Sequence, residues 1–198
     1  MGGITSFRAR EFYQWMLFVD GENLTMCAQR LATVKGFALR EGPHYLKDVH
    51  LWLPGAKAFM PITSGRIDLA SRSLRCLYYT SVQGDDAKRE GVRKNLWGMG
   101  FEPIVHKRRE GKSKAVDIRL TTDILSNAYL DNYDVCVLAT GDGDYIPVVD
   151  AVKRRGKLVL LWFFKEEGLN TDLLTACDDF TDFWPLLANN GLAPMRSE

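Results

Sequence analysis

No apolar run in this 198-residue chain approaches the roughly 18 residues that a membrane-spanning helix needs, so the sequence offers none. Residues 1–14 hold polar and charged positions throughout, which is not the pattern of a secretory signal. Cysteine is scarce. Cys27, Cys76, Cys136 and Cys177 lie far apart with no C-x-x-C pair, which argues against zinc and suits a reducing compartment, hence the cytoplasm. The three histidines fall on loops or strand ends without an evident partner, so no Ser/His/Asp or Cys/His nucleophile set is in view. Neither sign of charge dominates: 26 Lys and Arg against 25 Asp and Glu leave +1, so any case for a polyanionic partner rests on local charge. Internal repeats and low-complexity segments are lacking too. What remains is ordinary for a globular protein, 46% hydrophobic and 26% charged, with length enough for one well-buried domain and cramped for two.

Strands and helices alternate along that length. Strands are expected at 15–19, 74–82, 101–106, 134–139 and 158–164, with a last short one at 180–183. Helical spacing marks 22–34, 86–99, 116–130, 145–155 and 169–176. Such β-α alternation predicts an α/β fold, a mostly parallel sheet covered by helices on both faces. The chain divides into a leader at 1–14, a domain at 15–185 and a tail at 186–198. Residues 36–67 break the pattern with Gly36, Gly42, Pro43, Pro54, Gly55, Pro61 and Gly65 around Trp52 and Phe59. An irregular excursion of that length is a lid or functional loop, or else a surface insertion packed by its own aromatics.

Acidic residues gather where strands end. The apolar run Val135–Ala139 leads into Thr140-Gly141-Asp142-Gly143-Asp144-Tyr145, and strand 15–19 ends in Asp20-Gly21-Glu22-Asn23. Asp117 opens helix 116–130. Taken singly these have structural readings, a helix cap worth about 1 kcal/mol for Asp117 and a turn for Asp142 and Asp144. Taken together they repel one another and need a cation to stay ionised. Oxygen donors without histidine suit Mg²⁺ or Mn²⁺, which activates water for attack on a phosphodiester. Asn23 stands where it can hold a phosphate oxygen or a water. Asp123, six residues and about 240° beyond Asp117, does not share its face; an ion pair with Arg119 is its leading role, and support of the site is another.

The stretch His106–Lys114 carries five basic residues, Lys107, Arg108, Arg109, Lys112 and Lys114, against Glu110 alone. It joins a strand's carboxyl end to the Asp117 helix, so it is expected to rim the acids and neutralise a polyanion's phosphates. The basic residues of 88–94 and 153–157 are expected to face solvent.

Three motifs in order, Phe18-Val19-Asp20-Gly21-Glu22-Asn23-Leu24, Lys114-Ala115-Val116-Asp117-Ile118 with Asp123, and Thr140-Gly141-Asp142-Gly143-Asp144-Tyr145-Ile146-Pro147, resemble the signatures of NYN domains, the LabA-like branch of the PIN-domain nucleases. The resemblance spans about residues 15–183. It implies a PIN-like three-layer α/β/α sandwich and a metal-dependent ribonuclease that uses Mg²⁺ or Mn²⁺ on single-stranded or structured RNA. Asp20, Asp117, Asp142 and Asp144 would be its catalytic, metal-binding acids, with Asn23 beside them and Lys114 a phosphate contact. Thr140 stands where the family often has Ser, keeps the hydroxyl and would join Asn23 and the basic stretch as a substrate contact; the 36–67 segment is longer than expected there. A haloacid-dehalogenase phosphatase needs a second Asp where this chain has Glu22. A dinucleotide-binding Rossmann domain needs a glycine-rich loop that Gly21-Glu22-Asn23-Leu24 does not supply. The alternative from another class is a non-catalytic RNA-binding or scaffold module of the same fold. Whether the chain is a homo-oligomer stays open.

Overall fold

Side chains along β1 (Trp15–Asp20) alternate between two apolar cores: Trp15, Leu17 and Val19 enter one, Met16 and Phe18 the other. A strand buried on both faces belongs in the middle of a covered sheet. β7 (Val135–Ala139) divides the same way, Val135, Val137 and Ala139 against Cys136 and Leu138. Full burial of one such aliphatic side chain is worth about 1.5–3 kcal/mol, so the alternation fixes strand register strongly. The computed structural model describes residues 13–52, 73–108, 114–190 and 192–194.

β1 runs without a break into α1 (Gly21–Val34). Then come β2 (Phe37–Leu39), β3 (Tyr45–Leu46), β4 (His50–Leu51), β5 (Ser73–Val82), α2 (Asp86–Gly98), β6 (Glu102–Lys107), α3 (Lys114–Tyr129) and β7. A 3₁₀ turn, Gly143–Tyr145, leads into α4 (Ile146–Arg154), followed by β8 (Leu158–Phe163), α5 (Thr171–Ala176), β9 (Asp179–Asp182), α6 (Trp184–Asn190) and β10 (Leu192–Pro194). The main sheet is parallel at every pairing, in the order β6-β5-β1-β7-β8-β9. One core takes Leu24, Cys27, Ala28 and Leu31 of α1 and Val92 and Leu96 of α2; the other takes Val116, Leu120, Ile124 and Ala128 of α3, Val148, Val149 and Val152 of α4, and Leu173 of α5. The result is the expected three-layer α/β/α sandwich. Among the described residues, no helix is long and apolar enough to cross a membrane.

The strand order decides where a site belongs. From β1 the chain builds outward through β5 to β6, then crosses back to β7 and builds the other way. Ligands of open α/β sheets bind beyond the carboxyl ends of strands at such a reversal, here between β1 and β7.

The structure adjusts several of these expectations. Helix α3 starts at Lys114 rather than 116, so Asp117 stands in its first turn and not at its cap. The expected helix 145–155 is found at Ile146–Arg154; ahead of it Asp142 caps a 3₁₀ turn, and Pro147 stands in the α-helix's first turn, where a missing N–H costs nothing. Lys157 is buried against Asp131 instead of facing solvent, and Lys153 pairs with Asp178 at 3.0 Å. The 36–67 segment is partly regular, since β3 pairs with β4 and β2 pairs antiparallel with β10. Trp52 reaches beyond its own segment: it stacks edge-on against Phe101 at 4.9 Å and tilts over Phe183 at 5.3 Å, inside the α1–α2 core. Pro54, Gly55, Phe59, Pro61 and Gly65 lie outside the described residues.

A candidate acid site at the sheet's switch point

Asp20 is both the last residue of β1 and the N-cap of α1. Its Oδ1 accepts from the Asn23 N–H at 3.1 Å, the ordinary work of a capping carboxylate. Gly21 follows because nothing larger fits: a Cβ there would lie 2.1 Å from the Tyr78 ring and 2.7 Å from the Tyr79 carbonyl oxygen. Asp20 is nonetheless only 5% exposed. Burial above all pushes its carboxyl up to about 7; the hydrogen bonds from Asn23 N and Thr140 pull it down, and the charges of Asp117 and Glu22 push it further up.

The turn after β7 is stapled to that carboxylate. Thr140, wholly buried, donates its hydroxyl to Asp20 Oδ2 at 3.0 Å and accepts from the Asp142 N–H at 3.3 Å. Asn23 Oδ1 accepts from the Gly141 N–H at 2.8 Å, which fixes its amide orientation. Asn170 N donates to the Gly141 carbonyl at 2.9 Å from the far side. A Cβ on Gly141 would meet the Gly168 carbonyl at 2.2 Å and the Phe163 ring at 2.3 Å, so this position is closed to any other residue. Asp142 then caps the 3₁₀ turn, accepting from the Asp144 N–H at 2.9 Å, and both side chains face solvent.

Asp117 reaches the same place from α3. Its carboxyl is raised, by desolvation first and then by the charges of Glu22, Asp142 and Asp144. Asp117 therefore stands between the two halves of the site, its charge acting on Asp20 and those of Asp142 and Asp144 acting on it. The four acids do not close into a cage. Among the described residues, no group of three or more His, Cys, Asp or Glu side chains stands close enough to hold a metal ion. Like charges with no counter-ion spread apart, and each of these acids already serves the fold or faces water.

Glu22 is the acid that the sequence pattern did not single out, although it lies two residues beyond Asp20 in the first turn of α1. It takes the Ser81 hydroxyl and the Arg108 guanidinium, the latter at 3.2 Å. Arg108 also donates to Ser81 Oγ at 3.0 Å and to the Asp48 carbonyl at 3.3 Å. Lys107 pairs with Asp86 at 2.8 Å. Both described cations of the basic stretch thus have protein partners. Arg109, Lys112 and the Lys114 side chain lie outside the described residues. Asp123 makes the expected ion pair with Arg119 at 2.8 Å and, in addition, accepts from the buried Tyr79 hydroxyl at 2.9 Å. It ties α3 to β5 and stays out of the acid cluster.

The model of the NYN domain family matches residues 14–187, the greater part of the chain. The chain belongs to the NYN family. NYN membership places it in the PIN-like nuclease superfamily. Among solved structures, a protein of unknown function from Vibrio parahaemolyticus is similar at 18% identity, with 89% of this chain and 96% of that one covered and a TM-score of 0.64. At that identity the likeness shows a shared fold. A putative UDP-N-acetylglucosamine 2-epimerase from Listeria monocytogenes aligns at 12% identity over 89% of this chain and 41% of that one, with a TM-score of 0.37, too low to carry an argument. No curated protein matches this NYN chain.

Proposed function

We propose that this NYN domain is a metal-dependent ribonuclease, a hydrolase of RNA phosphodiester bonds, with Asp20, Asp117, Asp142 and Asp144 as its acids. The carrying observation is the staple from Thr140 and Asn23 that fastens the Asp142–Asp144 turn to buried Asp20 at the sheet's switch point. A turn alone would form without so many buried polar ties. The donors fit a hydrated hard cation: they are oxygen-only, and the carboxyls of Asp20 and Asp117 are raised by burial and neighbouring charge that a cation would offset. Mg²⁺ in particular is held by one or two carboxylates and several waters, which asks for no three-carboxylate cage.

A divalent cation held there supplies Lewis acidity to water and phosphate. The chain's own part is to place and exclude. Asp20 and Thr140 form the dry floor, and Asp142 and Asp144 stand open to solvent above it. Asn23 has committed its oxygen to Gly141, so its amide N–H₂ is what it offers a phosphate oxygen. Lys114, at the start of α3, and the basic stretch before it supply charge for the RNA backbone.

Both oxygens of Asp20 are taken up by the fold, Oδ1 by the Asn23 N–H and Oδ2 by the Thr140 hydroxyl, which favours a second reading, an RNA-binding module of this fold that cuts nothing. Labelled single-stranded and structured RNA, incubated with Mn²⁺, separates the two. Wild type is expected to cleave and EDTA to stop it, while Asp142→Asn reduces cleavage about a hundredfold or more. RNA bound but never cut, with Asp142→Asn binding as well as wild type, establishes the second reading.

A further inference from the structure

Two asparagines hold the acid turn at Gly141, one through its N–H and one through its carbonyl. Asn23 Oδ1 accepts the N–H, and Asn170, just ahead of α5, donates its backbone N–H to the carbonyl at 2.9 Å. The orientation of the Asn170 amide is fixed, because its Oδ1 accepts from the Asp172 and Leu173 N–H groups at 2.9 and 3.0 Å. That oxygen caps α5 and leaves the N–H₂ pointing the other way. Nδ2 lies against the acid turn: a Cβ on Gly143 would stand 2.6 Å from it and 2.8 Å from Cγ. Gly143 has no left-handed φ to account for its being glycine, so the approach of the asparagine is what excludes a side chain there. Asn170 is exposed, and among the described residues its Nδ2 has no acceptor.

A cap does not by itself ask for asparagine, since serine and aspartate cap a helix about as well. What asparagine adds is a pair of donors, set beside Gly143 between Asp142 and Asp144. An amide nitrogen has no lone pair for a cation, so these donors answer to an anion. Neither neighbouring carboxylate accepts from them in this structure. We infer that Asn170 is a further substrate-binding residue of this site, its amide donating to a phosphate oxygen of RNA laid across the acid turn, with the Asn23 amide as its counterpart. This rests on the reading above that the site acts on RNA, and not on cleavage. The N-terminus of α5 plays no part, because its Asp172 and Leu173 N–H groups are taken by Asn170 Oδ1.

Asn170→Ser and Asn170→Asp test this, because both keep an oxygen that caps α5 and both remove the amide donors. The readouts are Tm, the affinity for Mn²⁺ alone by calorimetry, the affinity for labelled single-stranded RNA in Ca²⁺, and KM and kcat with Mn²⁺. Asn170→Ser is expected to keep Tm and Mn²⁺ affinity while RNA affinity falls about tenfold and KM rises as much, the size of one hydrogen bond to a charged acceptor. Asn170→Asp is expected to lose more RNA affinity than Asn170→Ser, since a carboxylate then faces the phosphate. The inference is overturned if Asn170→Ser binds RNA as wild type does, or if its RNA affinity falls only together with Tm and Mn²⁺ affinity, which makes Asn170 a part of the scaffold alone. RNA bound by wild type, bound more weakly by Asn170→Ser and cut by neither upholds the inference and removes the ribonuclease reading. Cleavage by both proteins with one KM and one RNA affinity keeps the ribonuclease reading and removes the inference. A wild type that binds no RNA removes both.

Discussion

Asp20 shows what the site costs at the scale of one residue. Its carboxyl titrates near 7 in the folded chain against an ordinary 3.8, so between those values the folded state holds a proton that the unfolded state has released. The favourable contribution is complete below about pH 4, declines as pH rises, and is gone once pH passes the folded value near 7. At roughly 1.4 kcal/mol for each pH unit between the two values, the loss amounts to a few kcal/mol, of the order of the whole margin by which a domain stays folded. In metal-free protein, Tm is therefore expected to fall from about pH 5 to about pH 8 in wild type. In Asp20→Asn, which has no proton to release, that fall should shrink and the variant should be the more stable of the two at the alkaline end. Parallel pH curves for the two proteins would show that Asp20 is already ionised and solvated in the fold. The same residue shows why position was easier to read than environment. A carboxylate closing an apolar strand is visible in Val19-Asp20-Gly21; that Thr140, 120 residues on, would donate to it is not.

At the scale of the element, α3 carries the argument. Its apolar spacing announces the helix, and Val116, Leu120, Ile124 and Ala128 form the buried stripe that the spacing implies. The helix begins two residues before the apolar pattern does because Lys114 and Ala115 carry no apolar signal, and for that reason Asp117 looks like a cap in the sequence alone. Asp123 is legible only in half. The Arg119 pair follows from i,i+4 spacing, but Tyr79 comes from β5, and no local pattern announces a partner 44 residues away. The same limit hides Glu22: its ties to Ser81 and Arg108 exist only once β5 and β6 are side by side. Asp123 is thus a strut that sets how α3 lies on the sheet, and through it where Asp117 stands. Asp123→Ala leaves the Tyr79 hydroxyl buried without its acceptor, which should lower stability in urea by about 1–3 kcal/mol. Mn²⁺ affinity should fall as well, but by less than in Asp117→Asn. A variant that is fully stable yet inactive would put Asp123 inside the chemistry instead.

For the molecule as a whole, a net charge of +1 hides an uneven distribution. Acids collect at one reversal of strand order, while the described cations of the basic stretch, Arg108 and Lys107, are paired with Glu22 and Asp86. Repulsion at the switch point is therefore a local strain that the entire fold must hold, and whatever neutralises it there should show in global stability. A ligand that binds the folded chain alone adds about 2.7 kcal/mol at a hundredfold excess over its Kd. For a domain of this length that is about 5–10 °C in Tm. Mn²⁺ is expected to raise the wild-type Tm by that order, EDTA to reverse the rise, and Asp142→Asn to lose most of it. Sodium chloride at matched ionic strength supplies the comparison that decides the cause, because screening acts on any exposed acids whereas binding requires these acids in this arrangement. A rise with salt equal to the rise with Mn²⁺ reduces the cluster to a screened patch and removes the metal from the ribonuclease reading. A rise confined to Mn²⁺ means that the strand reversal, the Thr140 staple and the Asp117 helix together build one cation site, whose occupancy the fold registers as stability.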